Sequence, residues 1–500
     1  MSRERPLHLD REAFRSIGHR LVDQVSDLLA SIPNRPVTPG ETPTRVRAAL
    51  GTDAPLPETG SDPALLLEET ARLLFDHSLF NGHPRFWGYI TSSPAPIGMF
   101  GDFLAAAVNA NVGGWTLSPA ATEIESQTIR WIARFIGFPE TCSGILVSGG
   151  NMANLICFFA ARAAKASWPV QREGSLPPAG GRLRAYASKE THTWIMKAAD
   201  LSGIGTDAIR WIDTDAMRRI DVDALRRRIA EDRAAGDAPF LVIGTGGSVS
   251  TGAVDPLPRL AALCREERLW FHVDGAYGAL AAAVPEAPDD LRGLAEADSV
   301  AVDPHKWLYA PKEAGCALIR DPEAHRAAFS YHPPYYHFEE ASTNFVDYGM
   351  QNSRGFRALK VWLALRHVGA AAYRTMISGD IRLTVLMADA IRAEPALELC
   401  TRELSIATFR FVPLDLRARK AVPAIGTYLD HLNEQLLDDL QRGGELFVSN
   451  AVVDGRYLLR ACIVNFNTEE EDVAALPAVV VRRGAELDGR LRPAGLRGVR

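Results

Sequence analysis

Between residues 144 and 320 the chain alternates short apolar runs with amphipathic stretches, and turn residues separate them. The runs at 144–147, 183–188, 208–213, 240–245, 269–274 and 298–302 have the length of buried strands. Residues 155–165 and 221–231 carry helical spacing. Parallel strands can be joined only by crossovers that carry the chain back to the same edge. The alternation therefore predicts an α/β unit with a mostly parallel central sheet and helices on both faces. In such a sheet ligands gather outside the carboxyl ends of the strands, so the residues just after each run are where chemistry is expected.

Two of those ends carry reactive side chains. Val302-Asp303-Pro304-His305-Lys306-Trp307 follows one apolar run and precedes another at 316–319. Lysine is almost never fully buried unless paired, and desolvation favours the neutral amine, a nucleophile toward carbonyls. Lys306 reads as the residue that forms a Schiff base with an aldehyde cofactor; the plainer alternative is a lysine snorkelling at a strand end. Asp274 ends the run 269–274, about one strand–crossover–strand unit earlier. A carboxylate facing a pyridine nitrogen keeps it protonated, and pyridoxal phosphate needs both that acid and a Schiff-base lysine. Taken singly, Asp274 could equally cap a turn. Ser148-Gly149-Gly150-Asn151 lies between a strand and a helix. Free N–H groups and the positive end of a helix dipole there make Gly149, Gly150 and Asn151 the expected phosphate cradle.

Five hundred residues exceed one ordinary core and imply two or three domains. A net charge of −6 gives no basic face for nucleic acid. The six cysteines are scattered without Cys-x-x-Cys spacing, which argues against a zinc site and a disulfide scaffold and suits a reducing cytoplasm. No metal ligands are assigned. No apolar run reaches about 18 residues and no signal peptide is read at the start, so no membrane partner is expected.

Residues 11–32 and 63–75 have helical spacing, and 37–63, rich in Pro, Gly and Thr, reads as an extended arm. Such a segment buries little alone and is expected to clamp the main domain or another subunit. Residues 331–351 form a long irregular stretch, of the kind that is functional or disordered. The expected organisation is an N-terminal helical and extended segment over 1–95, a large α/β domain over 96–372, a small α+β domain over 373–481 and a flexible tail over 482–500.

His272-Val273-Asp274-Gly275-Ala276-Tyr277 followed by Asp303-Pro304-His305-Lys306-Trp307 resembles the group II pyridoxal phosphate-dependent decarboxylases, closest to the aromatic-L-amino-acid decarboxylases and their bacterial relatives. Matching motifs run from about His83 to Arg374. The resemblance implies the type I fold of pyridoxal phosphate enzymes and a homodimer with shared active sites. It implies His192 stacked on the cofactor ring, Ser248 near that ring, and Ala276, Asp303 and His305 among the cofactor contacts. It implies a substrate pocket drawn from Tyr89, Thr91, Ser92, Asn111 and Gly113, with residues 109–119 reaching the neighbouring subunit's site.

The reaction so implied is decarboxylation of an L-amino acid to an amine, with Lys306, His192 and Asp274 as the catalytic residues. Several positions depart from the family. The loop tyrosine that relatives use as proton donor aligns with Phe345, which has no hydroxyl. In plant relatives a phenylalanine there marks aldehyde synthases, so oxidative decarboxylation to an aldehyde is the alternative reaction. Tyr348, Tyr335, Tyr336 or His192 could supply the proton instead. Asp303 stands where animal relatives carry asparagine, and Asn81 where they carry tryptophan. Ser353 falls where plant enzymes use serine with phenolic substrates, which favours tyrosine, DOPA or phenylalanine. An aminotransferase would need a carboxylate clamp, for which Arg354 and Arg460 are the candidates. A protein that binds the cofactor without turnover would be marked by loss of Lys306, Asp274 or His192, all of which are present.

Overall fold

The structure, a computed structural model, describes residues 5–176, 180–331 and 342–497. Seven strands form the central sheet: β1 (Ser143–Val147), β2 (Leu183–Ser188), β3 (Ile209–Ile212), β4 (Ala238–Thr245), β5 (Trp270–Asp274), β6 (Ser299–Val302) and β7 (Gly315–Ile319). Their spatial order is β1-β7-β6-β5-β4-β2-β3. The pairs from β6 through β3 are parallel, and β7 runs antiparallel to both β1 and β6. Every residue of β2, β5, β6 and β7 is buried, so these runs are mostly apolar and do not alternate, and the polar residues among them, such as Arg184, His272 and Ser299, find hydrogen-bond partners. The helix Gly150–Lys165 packs across β1 and β4 to β7.

Register decides what meets at the sheet edge. Thr245 pairs with Asp274, and Asp274 with Ala301, so β4, β5 and β6 end side by side. Because β7 is antiparallel to both neighbours, β1 points the same way as β6. Val147 and Val302 flank the start of β7, opposite Gly315 and Cys316. The turn after β1 therefore arrives at the same edge as the turns after β5 and β6.

A second, antiparallel sheet is built from β8 (Leu397–Glu403), β9 (Ile406–Phe411), β10 (Ser449–Val453) and β11 (Arg456–Cys462), in the order β10-β11-β9-β8. Helices Pro423–Gly443 and Glu470–Leu491 share a core with it through Leu429, Leu432, Leu436, Val473, Leu476 and Val480. Where the sequence suggests a tail from Arg482, that second helix continues to Leu491. Its apolar face reaches Leu487, and Arg482 and Arg483 both bond to Glu445, so the arginines sit on the solvent side of an ordered helix. The helical stretch Ala358–Ala393 is two helices joined at Gly369, where φ 75° and ψ 165° are non-helical, four residues before the boundary expected at 373.

The N-terminal helices Arg11–Ser31 and Pro63–His77 pack on each other. The expected arm between them contains a helix, Pro43–Leu50, capped by Thr42 and closed by Gly51 at φ 59°. The first helix has no buried residue, and Phe14, Val22, Leu65, Leu66 and Leu74 stay exposed. Among the described residues no helix is long and apolar enough to cross a membrane.

Candidate active site

Lys306 lies in the short helix Pro304–Trp307 that follows β6. Its Nζ is 3.1 Å from Asp303 Oδ2, and His305 Nε2 is 3.7 Å from the same oxygen. The segment is held from behind. Ser92 Oγ donates to the His305 carbonyl at 2.8 Å, and His305 Nδ1 lies 2.7 Å from the Ala314 carbonyl. Burial lowers the His305 pKa against the opposing Asp303 charge. Trp307 stacks on Tyr277 at 4.9 Å and donates its indole N–H to Asp380 at 2.8 Å. Tyr309 donates to the same Asp380 oxygen at 2.8 Å, and full burial pushes the Asp380 carboxyl up to about 7.

Asp274 closes β5 and is nearly buried. The Trp194 indole N–H donates to its Oδ2 at 2.7 Å, and the Ala276 N–H approaches Oδ1 at 3.3 Å. Two residues earlier on the strand, His272 is fully buried between Asn154 Oδ1 at 2.7 Å and Ser299 Oγ at 2.9 Å. Burial drives the His272 pKa down to about 4, so it is neutral near pH 7, with Nε2–H donating to Asn154 and Nδ1 accepting from Ser299.

Gly149 (φ 137°) and Gly150 turn the chain from β1 into its helix, and no side chain caps the helix start. Its first N–H groups therefore have no partner within the helix. A Cβ on Gly150 would stand 2.7 Å from Asp303 Oδ2, so only glycine leaves that space open. These elements surround a cavity of about 560 Å³. Three buried side chains at it keep unpartnered polar atoms among the described residues: Asp303 Oδ1, Thr245 Oγ1, and Arg460 Nε and Nη2. An acid at the end of one strand, an amine at the end of the next and an open helix N-terminus fit a phosphorylated pyridine aldehyde. Among the described residues no group of three His, Cys, Asp or Glu side chains could hold a metal ion.

Lys306, Asp274 and His192 line this cavity, together with Gly149, Gly150 and Asn151. Ala276, Asp303 and His305 line it too, as do Tyr89 and Thr91. Ser92 sits behind His305 as described. Ser248 is not in the lining: its hydroxyl is 2.9 Å from Thr251 Oγ1, while Gly247 and Val249 on either side reach the cavity. Asn111, Gly113, Phe345 and Ser353 are also absent from it. Asn111 Oδ1 accepts from the Gly113 and Arg354 N–H groups, and Ser353 is exposed. Phe345 is buried beneath the Arg354 guanidinium, 4.8 Å from its ring centre. Arg354 is committed to Glu125 at 2.5 Å and to the Val112 and Leu146 carbonyls in the core, which removes it as a carboxylate clamp. Tyr335 and Tyr336 lie outside the described residues.

Thr245, Glu190 and Tyr277 line the cavity without having been singled out from the sequence. Thr245 ends β4 as Asp274 ends β5, so the strand-end rule applied to every strand would have found it. Glu190 stands two residues before His192, and burial raises its pKa. Arg460 comes from β11 of the small domain, and no local signal links it to a strand end so far away in the chain.

A sequence profile described as the pyridoxal-dependent decarboxylase conserved domain matches residues 43–412. The aromatic-L-amino-acid decarboxylase of Bacillus atrophaeus is 33% identical over 472 residues, covering 93% of this chain and 94% of that one. A phenylacetaldehyde synthase of Petunia hybrida is 30% identical over 467 residues, covering 91% of each chain. The crystal structure of Oryza sativa TDC with PLP and tryptamine superposes with a TM-score of 0.88 at 28% identity, covering 97% of this chain and 100% of that one.

Proposed function

This chain belongs to the pyridoxal-dependent decarboxylase family, and on that premise we propose that it converts an aromatic L-amino acid to the corresponding amine. It is a carboxy-lyase whose cofactor is pyridoxal 5′-phosphate. The observation that carries the reading is the meeting of Lys306, Asp274 and the open helix start at Gly150 around one cavity. When bound, the cofactor supplies an electron sink for the pair left behind by the departing carboxyl group.

Each side chain then has a task. Gly149, Gly150 and Asn151 would hold the phosphate through backbone N–H groups. Asp274 would keep the ring nitrogen protonated, and His192 would hold the ring in place. Lys306 would anchor the cofactor through Nζ, and Asp303, 3.1 Å away, would hold or take up that nitrogen's proton. Arg460, with two unpartnered guanidinium nitrogens, suits the anionic group of an incoming amino acid. Tyr89, Ile90 and Val249 provide apolar wall for an aromatic side chain.

The amine is the product in this reading and the aldehyde its alternative, because in a dimer with shared sites Phe345 would serve the partner's cavity and not the one lined by its own chain. Phe345 is a core residue under Arg354 and makes no wall of the cavity. The chain works as a homodimer in this reading. Support comes from the helix Pro96–Val108, which leaves Phe100, Phe103, Leu104 and Val108 exposed.

Two measurements test the reading. Lys306→Ala is expected to lose the visible absorbance of bound cofactor and at least about a hundredfold of kcat; a retained band means that the anchor is another residue. Products from a panel of aromatic and acidic L-amino acids, analysed by mass spectrometry with catalase controls, should be amines. Stoichiometric peroxide without amine, or a clear preference for glutamate or aspartate, would overturn it.

A further inference from the structure

Trp194 belongs to no wall of the cavity, yet it holds two groups that do. It opens the helix Trp194–Leu201, two residues after His192, and is 1% exposed. Its indole N–H donates to Asp274 Oδ2 at 2.7 Å from the protein interior. Its backbone N–H donates to His192 Nδ1 at 3.3 Å. The indole itself is wedged edge-to-face between Phe158 and His272, with interplanar angles of 81° and 89°. His272 cannot compete for the Asp274 carboxylate as a cation, because both its nitrogens are committed to Asn154 and Ser299. One rigid residue thus reaches a carboxylate on β5 and an imidazole after β2.

We propose that Trp194 is a positioning residue that sets the Asp274 carboxylate against the cofactor's ring nitrogen and keys His192 to the ring face. An N–H on Oδ2 fixes the carboxylate's rotation about its Cβ–Cγ bond, leaving the remaining lone pairs to the cavity. A backbone donor on Nδ1 fixes the His192 tautomer, with the ring hydrogen on Nε2. The aromatic cage makes the arrangement stiff, because a tryptophan packed edge-to-face on two rings has no second rotamer to adopt without opening a void. A carboxylate held by a second donor keeps its aim whether the cofactor is present or not, which lowers the ordering cost of binding.

This inference rests on the placement of Asp274 at the ring nitrogen proposed above. That placement is tested separately by whether the unsubstituted protein prefers pyridoxal 5′-phosphate to its 1-deaza analogue, which lacks the nitrogen. The variant that removes only the indole donor is genetic replacement of residue 194 alone by benzothienylalanine, which has sulfur in place of the N–H and the same shape, so the ring packing and the backbone N–H stay. Titrating the apo protein with each cofactor should show affinity for pyridoxal 5′-phosphate weakened by about tenfold, the usual cost of losing one hydrogen bond to a charged group. Affinity for the deaza analogue should be unchanged, and the pH profile of the bound cofactor's visible band should shift with the native cofactor. Equal weakening for both cofactors would reduce Trp194 to packing and overturn the proposal, as would unchanged affinity for both. Trp194→Phe, which removes the donor and also part of the ring, is the second variant: its packing loss falls on both cofactors alike, so pyridoxal 5′-phosphate should still be weakened about tenfold more than the deaza analogue, and an equal loss would overturn the proposal.

Discussion

Gly150 shows how one missing methyl group can keep a cavity open. It takes an ordinary helical conformation, so nothing in the backbone demands glycine there. The demand comes from across the cavity, where Asp303 Oδ2 would lie 2.7 Å from a Cβ. Gly150→Ala is expected to weaken pyridoxal 5′-phosphate by about ten- to a hundredfold, the equivalent of the ~1–3 kcal/mol that overpacking costs. Fluorescence titration of the apo protein reads this directly, and wild-type affinity would show that the cradle lies elsewhere. Ser248 and Thr245 carry the complementary lesson. Both are hydroxyl residues near the end of the same strand, but Ser248 turns its oxygen to Thr251 while Thr245 leaves its own unpartnered beside Asp274.

At the scale of elements, the lysine segment is tied to the long helix Ala358–Ala393 through Asp380. That carboxyl accepts from both Trp307 and Tyr309 and is fully buried. Its folded pKa of about 7 lies above the ordinary 3.8. Below the lower value both states hold the proton. Between the two values the unfolded chain releases a proton that the folded chain keeps, so this group's contribution to stability is lost as pH rises through that window. Asp380→Asn keeps an acceptor for the two donors and cannot ionise. It is expected to remove that part of the fall in Tm between about pH 4 and pH 7, and scanning calorimetry across the range checks it. An unchanged slope would mean that Asp380 is ionised in the folded protein. His272 acts in the opposite sense: its pKa, depressed to about 4, costs stability as pH falls below 6.5. The pH of greatest stability is a compromise between these buried groups.

For the whole molecule, the exposed apolar face of the helix Pro96–Val108 is the feature that a lone chain does not explain. Phe103 is 58% exposed and Val108 68% exposed on a helix whose glycines pack against Lys360 and Pro311. Patches of this kind mark interfaces. Phe103→Glu is expected to convert the proposed dimer to monomer in sedimentation velocity and to lower decarboxylase activity in parallel. A monomeric wild-type protein, or a dimer indifferent to the charge, would set the homodimer aside.

Local physics settles much of this protein before any folding is considered. Fully buried strands read as continuous apolar runs, strand ends mark where ligands gather, and the segments around Asp274 and Lys306 announce their chemistry in a few consecutive residues. The α/β class and the pyridoxal phosphate chemistry were legible for that reason. Contacts between distant segments were not. Arg460 reaches the cavity from another sheet, Arg354 disappears into an ion pair with Glu125, and Phe345 packs under that arginine. The helix that continues through Arg482 is likewise held by partners on other elements. A side chain's type is local, but its partner is chosen by which surfaces the sheet order brings face to face, and only the tertiary structure decides that.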